Sequence, residues 1–318
     1  MPLPENGPAV FAVGDVLVDN LCRVRRLPEP GEDGEILGYS CVSGGSAANT
    51  CAVLSRLGVH SAFCGTLGSD GKGRSLLAHM ERLGIDSSCV RAVSGSTGFT
   101  FTLTCPDGER TMLSYREAAS VSRPVTDKLL EAVSESALLL LSGYMLQNRE
   151  QAEFVFALAE KARSCGVPVM LDTAPVIGVV DKSILERMLS LTDVLMPNLD
   201  ELRALCPGLD TEECIAALLE KVPVIVLKQG RLGARLAVSE ACSVPGFEEL
   251  RGTDISAPAV SVEVEDTTGA GDSFNAGFIA GMLSSTDPEL WLRKGNETAA
   301  LVISGKLCRT LNEKDELL

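Results

Sequence analysis

Short apolar runs that stop at Gly, Asp or Lys alternate along most of this chain with stretches whose apolar residues recur at helical spacing. That alternation constrains the fold more than any other feature, because parallel strands need a crossover connection and a helix is the usual one. Strands are expected at Ala9–Gly14 and Ser61–Thr66, and helices at Ser46–Leu57 and Lys72–Leu83, stopped by Gly58 and Gly84. The pattern continues with strand Leu138–Leu141, helix Glu150–Ser164, strand Val167–Asp172, strand Val194–Met196, helix Glu212–Lys221 and strand Val224–Lys228. The reading is α/β, a mostly parallel sheet with helices on both faces. The 318 residues suffice for one large domain, and no long linker, internal repeat or low-complexity segment divides them.

Two stretches break the rhythm. Residues 21–41 and 89–114 carry strand-type alternation and turn signals such as Pro106-Asp107-Gly108, with no helical spacing. They are expected to pair into one small antiparallel sheet that projects from the main domain. A flap of this kind covers a substrate and keeps water out.

Charge narrows the partners. With 28 Lys+Arg against 43 Asp+Glu, the net charge of −15 repels nucleic acid and anionic membrane, so neither is expected as a partner. Phosphate ligands remain open, since backbone N–H groups bind them without net positive charge. No run approaches the roughly 20 apolar residues that span a bilayer. The N-terminus lacks the basic start and apolar run of a signal peptide. Eleven cysteines without a C-x-x-C pair read as reduced thiols used as small apolar residues, which points to the cytoplasm. With only His60 and His79, a histidine-rich zinc site is not expected.

The chemistry concentrates in residues 264–281, Val-Glu-Asp-Thr-Thr-Gly-Ala-Gly-Asp-Ser-Phe-Asn-Ala-Gly-Phe-Ile-Ala-Gly. A strand-like run, Ser261–Val264, leads through Gly269, Ala270 and Gly271 into the helical spacing of Phe274, Phe278, Ile279, Met282 and Leu283. Glycines at a helix start let the N–H groups of residues 269–272 converge where the helix dipole also favours negative charge. Such a hole suits the charge on a transferring phosphoryl group. Asp272 at its mouth can take the proton of an attacking hydroxyl, and an ordinary carboxylate pKa of about 3.9 keeps it ionised. No Gly-Lys-Ser/Thr follows, so the run is not a Walker A loop.

This run resembles the C-terminal signature of the PfkB (ribokinase-like) family of carbohydrate and nucleoside kinases. Further motifs stand in the family's order over nearly the whole chain. Gly44-Gly45-Ser46-Ala47-Ala48-Asn49 with Leu57-Gly58 is similar to the N-terminal signature, and Gly65, Gly68, Asp70 and Gly73 follow. Asn198-Leu199-Asp200-Glu201 is similar to the family's Asn-x-x-Glu motif, and Lys228-Gln229-Gly230 with Gly233 to its nucleotide-side glycine loop. The resemblance implies a ribokinase-like doubly wound sheet with a small β-sheet lid, and ATP and Mg²⁺ as cofactors.

The resemblance also implies roles. Asp272 would be the catalytic base and Gly269, Ala270 and Gly271 the anion hole. Asp19, with Asp15 close by, would meet substrate hydroxyls, Gly44 and Gly45 would bring backbone against the substrate, and Asn49 would offer a donor and an acceptor. Arg116, after the last lid segment, would reach the substrate or a phosphate. Asn198 and Glu201, one helical turn apart, would face one Mg²⁺ through water. Lys228, Gly230 and Gly233 would run along the ATP phosphates and ribose, and Asn296 would lie near the adenine. Asp266 and Thr268 form part of a monovalent cation (K⁺) site in some members.

The acceptor is less constrained. Family members acting on ribose carry a Lys where Ser46 stands and a Glu near Ser142-Gly143, and both are absent here. Extra basic residues typical of members acting on sugar phosphates are not evident either. A free sugar or sugar acid is therefore expected. A nucleoside, stacked on a shelf of Phe99 and Phe101, is the alternative within the family. A catalytically silent sugar-binding regulator is the alternative outside it, and the intact Asp272 segment speaks against that. Lids in this family often pair edge to edge, so a homodimer through the lid is expected.

Overall fold

In the computed structural model, which describes residues 7–107 and 110–312, all the apolar runs expected as main-sheet strands up to Lys228 meet in one sheet. In chain order the elements begin β1 (Val10–Val13), β2 (Leu17–Val24), β3 (Ile36–Gly44), α1 (Ser46–Arg56), β4 (Ser61–Cys64), β5 (Thr66–Gly68) and α2 (Gly71–Arg82). There follow β6 (Arg91–Val93), β7 (Phe99–Thr104), β8 (Arg110–Tyr115), α3 (Asp127–Ser134), β9 (Leu138–Ser142), α4 (Arg149–Ser164) and β10 (Val169–Asp172). The chain continues through α5 (Lys182–Leu191), β11 (Val194–Leu195), α6 (Leu199–Leu205), α7 (Thr211–Leu219), β12 (Val224–Lys228) and β13 (Ala234–Val238). It ends with β14 (Asp254–Ala257), α8 (Ala270–Ser284) and α9 (Pro288–Ile303).

The large sheet has the order β14-β13-β12-β11-β10-β9-β1-β4. It is parallel from β12 to β4 and antiparallel at β13 and β14. Side chains alternate across it. Val10, Ala12, Leu138, Leu140 and Met170 join one core with α1, α2, α8 and α9. Phe11, Val13, Leu139, Leu141 and Leu171 join a second core with α3 to α7. Two buried faces explain why the strands read as unbroken apolar runs rather than alternating ones. The eleven cysteines are free thiols, most of them buried. No described helix is long and apolar enough to cross a membrane.

The lid differs from the expectation. Its order is β3-β2-β7-β8, and the central pair β2–β7 is parallel, so the sheet is mixed rather than antiparallel. It starts at Leu17, earlier than the turn signals suggested, because β2 follows β1 after only three residues. Residues 91–93 do not join it; they pair with β5 in a separate two-stranded sheet. Gly108 and Glu109, in the turn announced by Pro106-Asp107-Gly108, lie outside the described residues. Ser261–Val264 is not a strand either. The strand before the glycine turn is β14, and the intervening residues have no ladder partners.

Candidate active site

The carboxyl ends of β1, β10 and β12 and the first turns of α1, α6 and α8 open on one cleft of about 930 Å³, roofed by Thr100, Met112 and Ser114 of the lid. Ligands of open α/β sheets bind at this edge. Two helices that face the cleft start at glycines in the left-handed half of backbone space, α1 at Gly45 (φ 105°) and α8 at Gly269 (φ 73°), and neither has a side-chain cap. By contrast α2, α4, α5, α6, α7 and α9 are all capped by a side chain. Glycine is needed at 45 twice over, for its φ and because a Cβ would collide with the Asp15 carbonyl. No side chain caps the first turn of α8; the Ala270 amide donates to the Thr267 carbonyl at 3.3 Å, which leaves the amides beside it for an anion, and Gly269, Ala270, Gly271 and Asp272 all line the cleft.

Around Asp272 runs a chain of polar groups that the sequence did not announce. Asn49 Nδ2 donates to Asp272 Oδ2 at 2.9 Å. The Ser46 hydroxyl lies 2.8 Å from Asp272 Oδ1 and 2.6 Å from Asp172 Oδ2. Lys228 Nζ donates to the other Asp172 oxygen at 2.7 Å. Ser46 has one proton and can satisfy one carboxylate at a time. The ammonium decides which carboxylate is the more acidic. Burial pushes Asp172 up, but Lys228 and the hydrogen bonds outweigh it and hold Asp172 below the usual range. Asp272 moves the other way, raised by burial and then by the charge of Asp172. The expectation of an ordinary pKa for Asp272 is therefore corrected: its carboxyl lies above the ordinary range, and a more basic carboxylate is a better proton acceptor. Lys228 is itself raised, since the charges of Asp172 and Glu201 outweigh its desolvation.

On the lid side, Asp19 lies on β2, and burial pushes its carboxyl up to about 6 against the opposing charge of Arg309. Gly44 does not line the cleft; the space a Cβ would take there is filled by the Asp19 carboxylate. Asp15 is paired with Arg116, whose guanidinium also stacks on Tyr144 at 4.5 Å from the ring centre. Asn49 Oδ1 is buried with no partner among the described residues, which leaves it an acceptor for a substrate hydroxyl. Phe99 and Phe101 do not line the cleft. They pack edge to face at 5.7 Å, while Thr100 between them faces inward.

At the far end, Asn198 and Glu201 form a capping box on α6. Asn198 Oδ1 accepts from the Asp200 and Glu201 amides, and Glu201 Oε2 accepts from the Asn198 amide and from Thr173 Oγ1 at 2.6 Å. Both residues still border the cleft. Gly230 and Gly233 border it after β12, and Asn296 of α9 ties down the end of β14 through Nδ2 bonds to the Ala257 and Pro258 carbonyls. The cation that meets Asp266 and Thr268 here comes from the lid: the Arg110 guanidinium donates to Asp266 Oδ1 at 2.7 Å and to Thr268 Oγ1 at 2.6 Å.

Four residues that line the cleft were missed in the sequence: Asp172, Ser46 as a bridge, Arg110 and Arg309. Asp172 carried a usable signal, because it ends a buried strand at the ligand edge, as Asp15 nearly does. Ser46 stood inside a quoted motif but was read only as a missing Lys. The two arginines had none, since each reaches the cleft from a segment remote in sequence.

Comparison with known proteins agrees with this geometry. Residues 8–315 match the description "pfkB family carbohydrate kinase". The chain is 30% identical over 308 residues to an ATP-dependent ribose-1-phosphate kinase of Halopiger xanaduensis, covering 96% of this chain and 95% of the relative. It is 27% identical to a nucleoside kinase of Methanothermobacter thermautotrophicus, covering 95% and 91%. Among solved structures, Arabidopsis thaliana ribokinase complexed with ribose and ATP superposes with a TM-score of 0.79 at 26% identity, covering 95% of each chain. The chain belongs to the PfkB family of carbohydrate kinases and is an ATP-dependent phosphotransferase.

Proposed function

We propose that the chain transfers the γ-phosphate of Mg·ATP to a hydroxyl of a free sugar or sugar acid, with Asp272 as the base. The observation that carries this is the half-buried Asp272 carboxylate at the start of α8, in a first turn without a side-chain cap and with Lys228 Nζ 3.6 Å from where a Cβ of Gly271 would stand. As the acceptor oxygen bonds to phosphorus and the bond to ADP breaks, the hydroxyl proton passes to Asp272 and the amides of Gly269 and Gly271 take the developing charge, the Ala270 amide being turned to the Thr267 carbonyl. Gly230, Gly233 and Asn296 would border the nucleotide, with Lys228 on its phosphates. No group of three or more His, Cys, Asp or Glu that could cage a metal occurs among the described residues. That fits Mg²⁺, which rides on nucleotide phosphates and uses one or two carboxylates through water. Glu201 and Asn198 would supply that outer contact when the ion is bound. The ion would neutralise phosphate charge.

For the acceptor, the inward lid face offers Thr100, Ser114 and Met112, and the Tyr144 ring is covered by Arg116. A polar polyol fits that lining better than a nucleobase, which needs an open aromatic face. Asp19, Asn49 and the Asp15–Arg116 pair would hold its hydroxyls or carboxylate. An ADP-release screen over hexoses, pentoses, sugar acids, sugar phosphates and nucleosides tests this. Free sugars or sugar acids are expected to turn over best. Turnover confined to nucleosides, or to a phosphorylated sugar such as the relative's ribose 1-phosphate, overturns the acceptor assignment.

The reading includes a homodimer and a reducing, cytoplasmic setting for the free thiols. Ile36, Leu37, Tyr39, Met112 and Leu113 are exposed on the edge strands β3 and β8, the surface that a lid-to-lid contact would cover. Light scattering at micromolar concentration is expected to give twice the chain mass, and a monomer would refute the pairing.

A further inference from the structure

We infer that Arg309 is a second cation on the transferring phosphoryl group, meeting it at the Gly269 side of the anion hole while Lys228 meets it at the Gly271 side. This rests on the kinase reading of the site. Arg309 lies past α9 in the C-terminal segment, which is fastened to the lid base: the Leu311 amide donates to Ser43 Oγ at 2.6 Å and the Ser43 amide to Asn312 Oδ1 at 2.8 Å. That fastening carries the guanidinium into the cleft, where it packs on the bare Cα of Gly269. Its Nε stands 2.9 Å from where a Cβ would be, so any side chain at 269 would displace it.

Arg309 is 8% exposed, and its Nη1 is buried with no hydrogen-bond partner among the described residues. A buried guanidinium nitrogen without a partner is costly and rare, and it calls for an acceptor. Neighbouring cations already have theirs: Lys228 has Asp172, Arg116 has Asp15 and Arg110 has Asp266. Asp19, Asp266 and Asp272 feel the charge of Arg309 from nearby. Its planar fork of donors suits the equatorial oxygens of a phosphoryl in flight. No bond of Arg309 changes in the step; phosphorus leaves ADP, joins the acceptor oxygen, and the proton goes to Asp272.

The test compares Arg309→Met and Arg309→Lys with the wild-type enzyme. Arg309→Met is expected to lower kcat by ~10²-fold or more, at every pH up to about 9, with both KM values nearly unchanged. Affinity for MgADP with aluminium fluoride and acceptor, a mimic of the transferring state, should fall in parallel, and added guanidinium should restore part of the rate. If the loss vanishes at high pH, Arg309 acts only by holding carboxylates ionised and the inference fails. It also fails if the acceptor KM rises while kcat holds, which would make Arg309 an acceptor anchor. Should Arg309→Met not fold, judged by its unfolding midpoint, Arg309→Lys carries the same measurements. Wild-type protein inert toward every acceptor would sink the kinase reading itself.

Discussion

Asp272→Asn is expected to lower kcat by at least ~10²-fold while ATP and acceptor still bind, because it removes the proton acceptor and keeps the shape. The amide can still receive the Asn49 bond on its oxygen, so the first turn of α8 should hold. Near-wild-type turnover would end the assignment of Asp272 as base. The same groups set the pH dependence. Asp272 is raised by burial and by Asp172, and Asp19 is raised to about 6, so both lose charge earlier than ordinary carboxylates as pH falls. For the acceptor-side machinery to be ionised, pH must lie above these raised values. The acidic limb of kcat/KM is therefore expected near 6, not near the ordinary value of about 4. A profile flat down to about pH 4.5 would show that Asp19 is not raised in the working enzyme.

Lys228→Met is expected to cost both stability and rate. Lys228 and Asp172 are a buried pair, with side chains 11% and 10% exposed. Removing one partner strands a buried charge, at about 3 kcal/mol or more. For a chain of this size that lowers Tm by roughly 5–10 °C. Losing the ammonium beside Gly271 should also lower kcat by ~10²-fold. The double change Asp172→Asn with Lys228→Met separates the effects. Stability should largely return, because the stranded charge is gone, but the rate should not. Full recovery of turnover in the double variant would show that Lys228 serves only Asp172.

Legibility followed distance along the chain. Strand Val224–Lys228 was expected with the bounds it has, and helix Ser46–Leu57 with an end one residue beyond the one it has, since apolar periodicity is local and both faces of the sheet are buried. The glycine turn and Asp272 were legible for the same reason: a helix start needs only contiguous residues to present its amides. Ser261–Val264 misled because β-type residues there have no neighbouring strand to pair with. The lid misled in its register, because β2 pairs in parallel with a strand about 80 residues away, which no hairpin signal can announce.

What the sequence by itself determined, then, is the α/β alternation, the family motifs and the presence of a carboxylate at a glycine-led helix start. Only the tertiary structure decided what that carboxylate is. Residues 46, 172, 228 and 272 come from four separate elements and meet because strand ends and helix starts share one edge of the sheet. Asp172 acquires its lowered pKa from an ammonium 56 residues away, and Asp272 its raised one from burial and from Asp172. Arg309 is brought to Gly269 by a fastening to Ser43 more than 260 residues distant. Secondary structure follows from neighbours in sequence, whereas charge and basicity follow from neighbours in space, and burial amplifies every such contact by removing the water that would screen it.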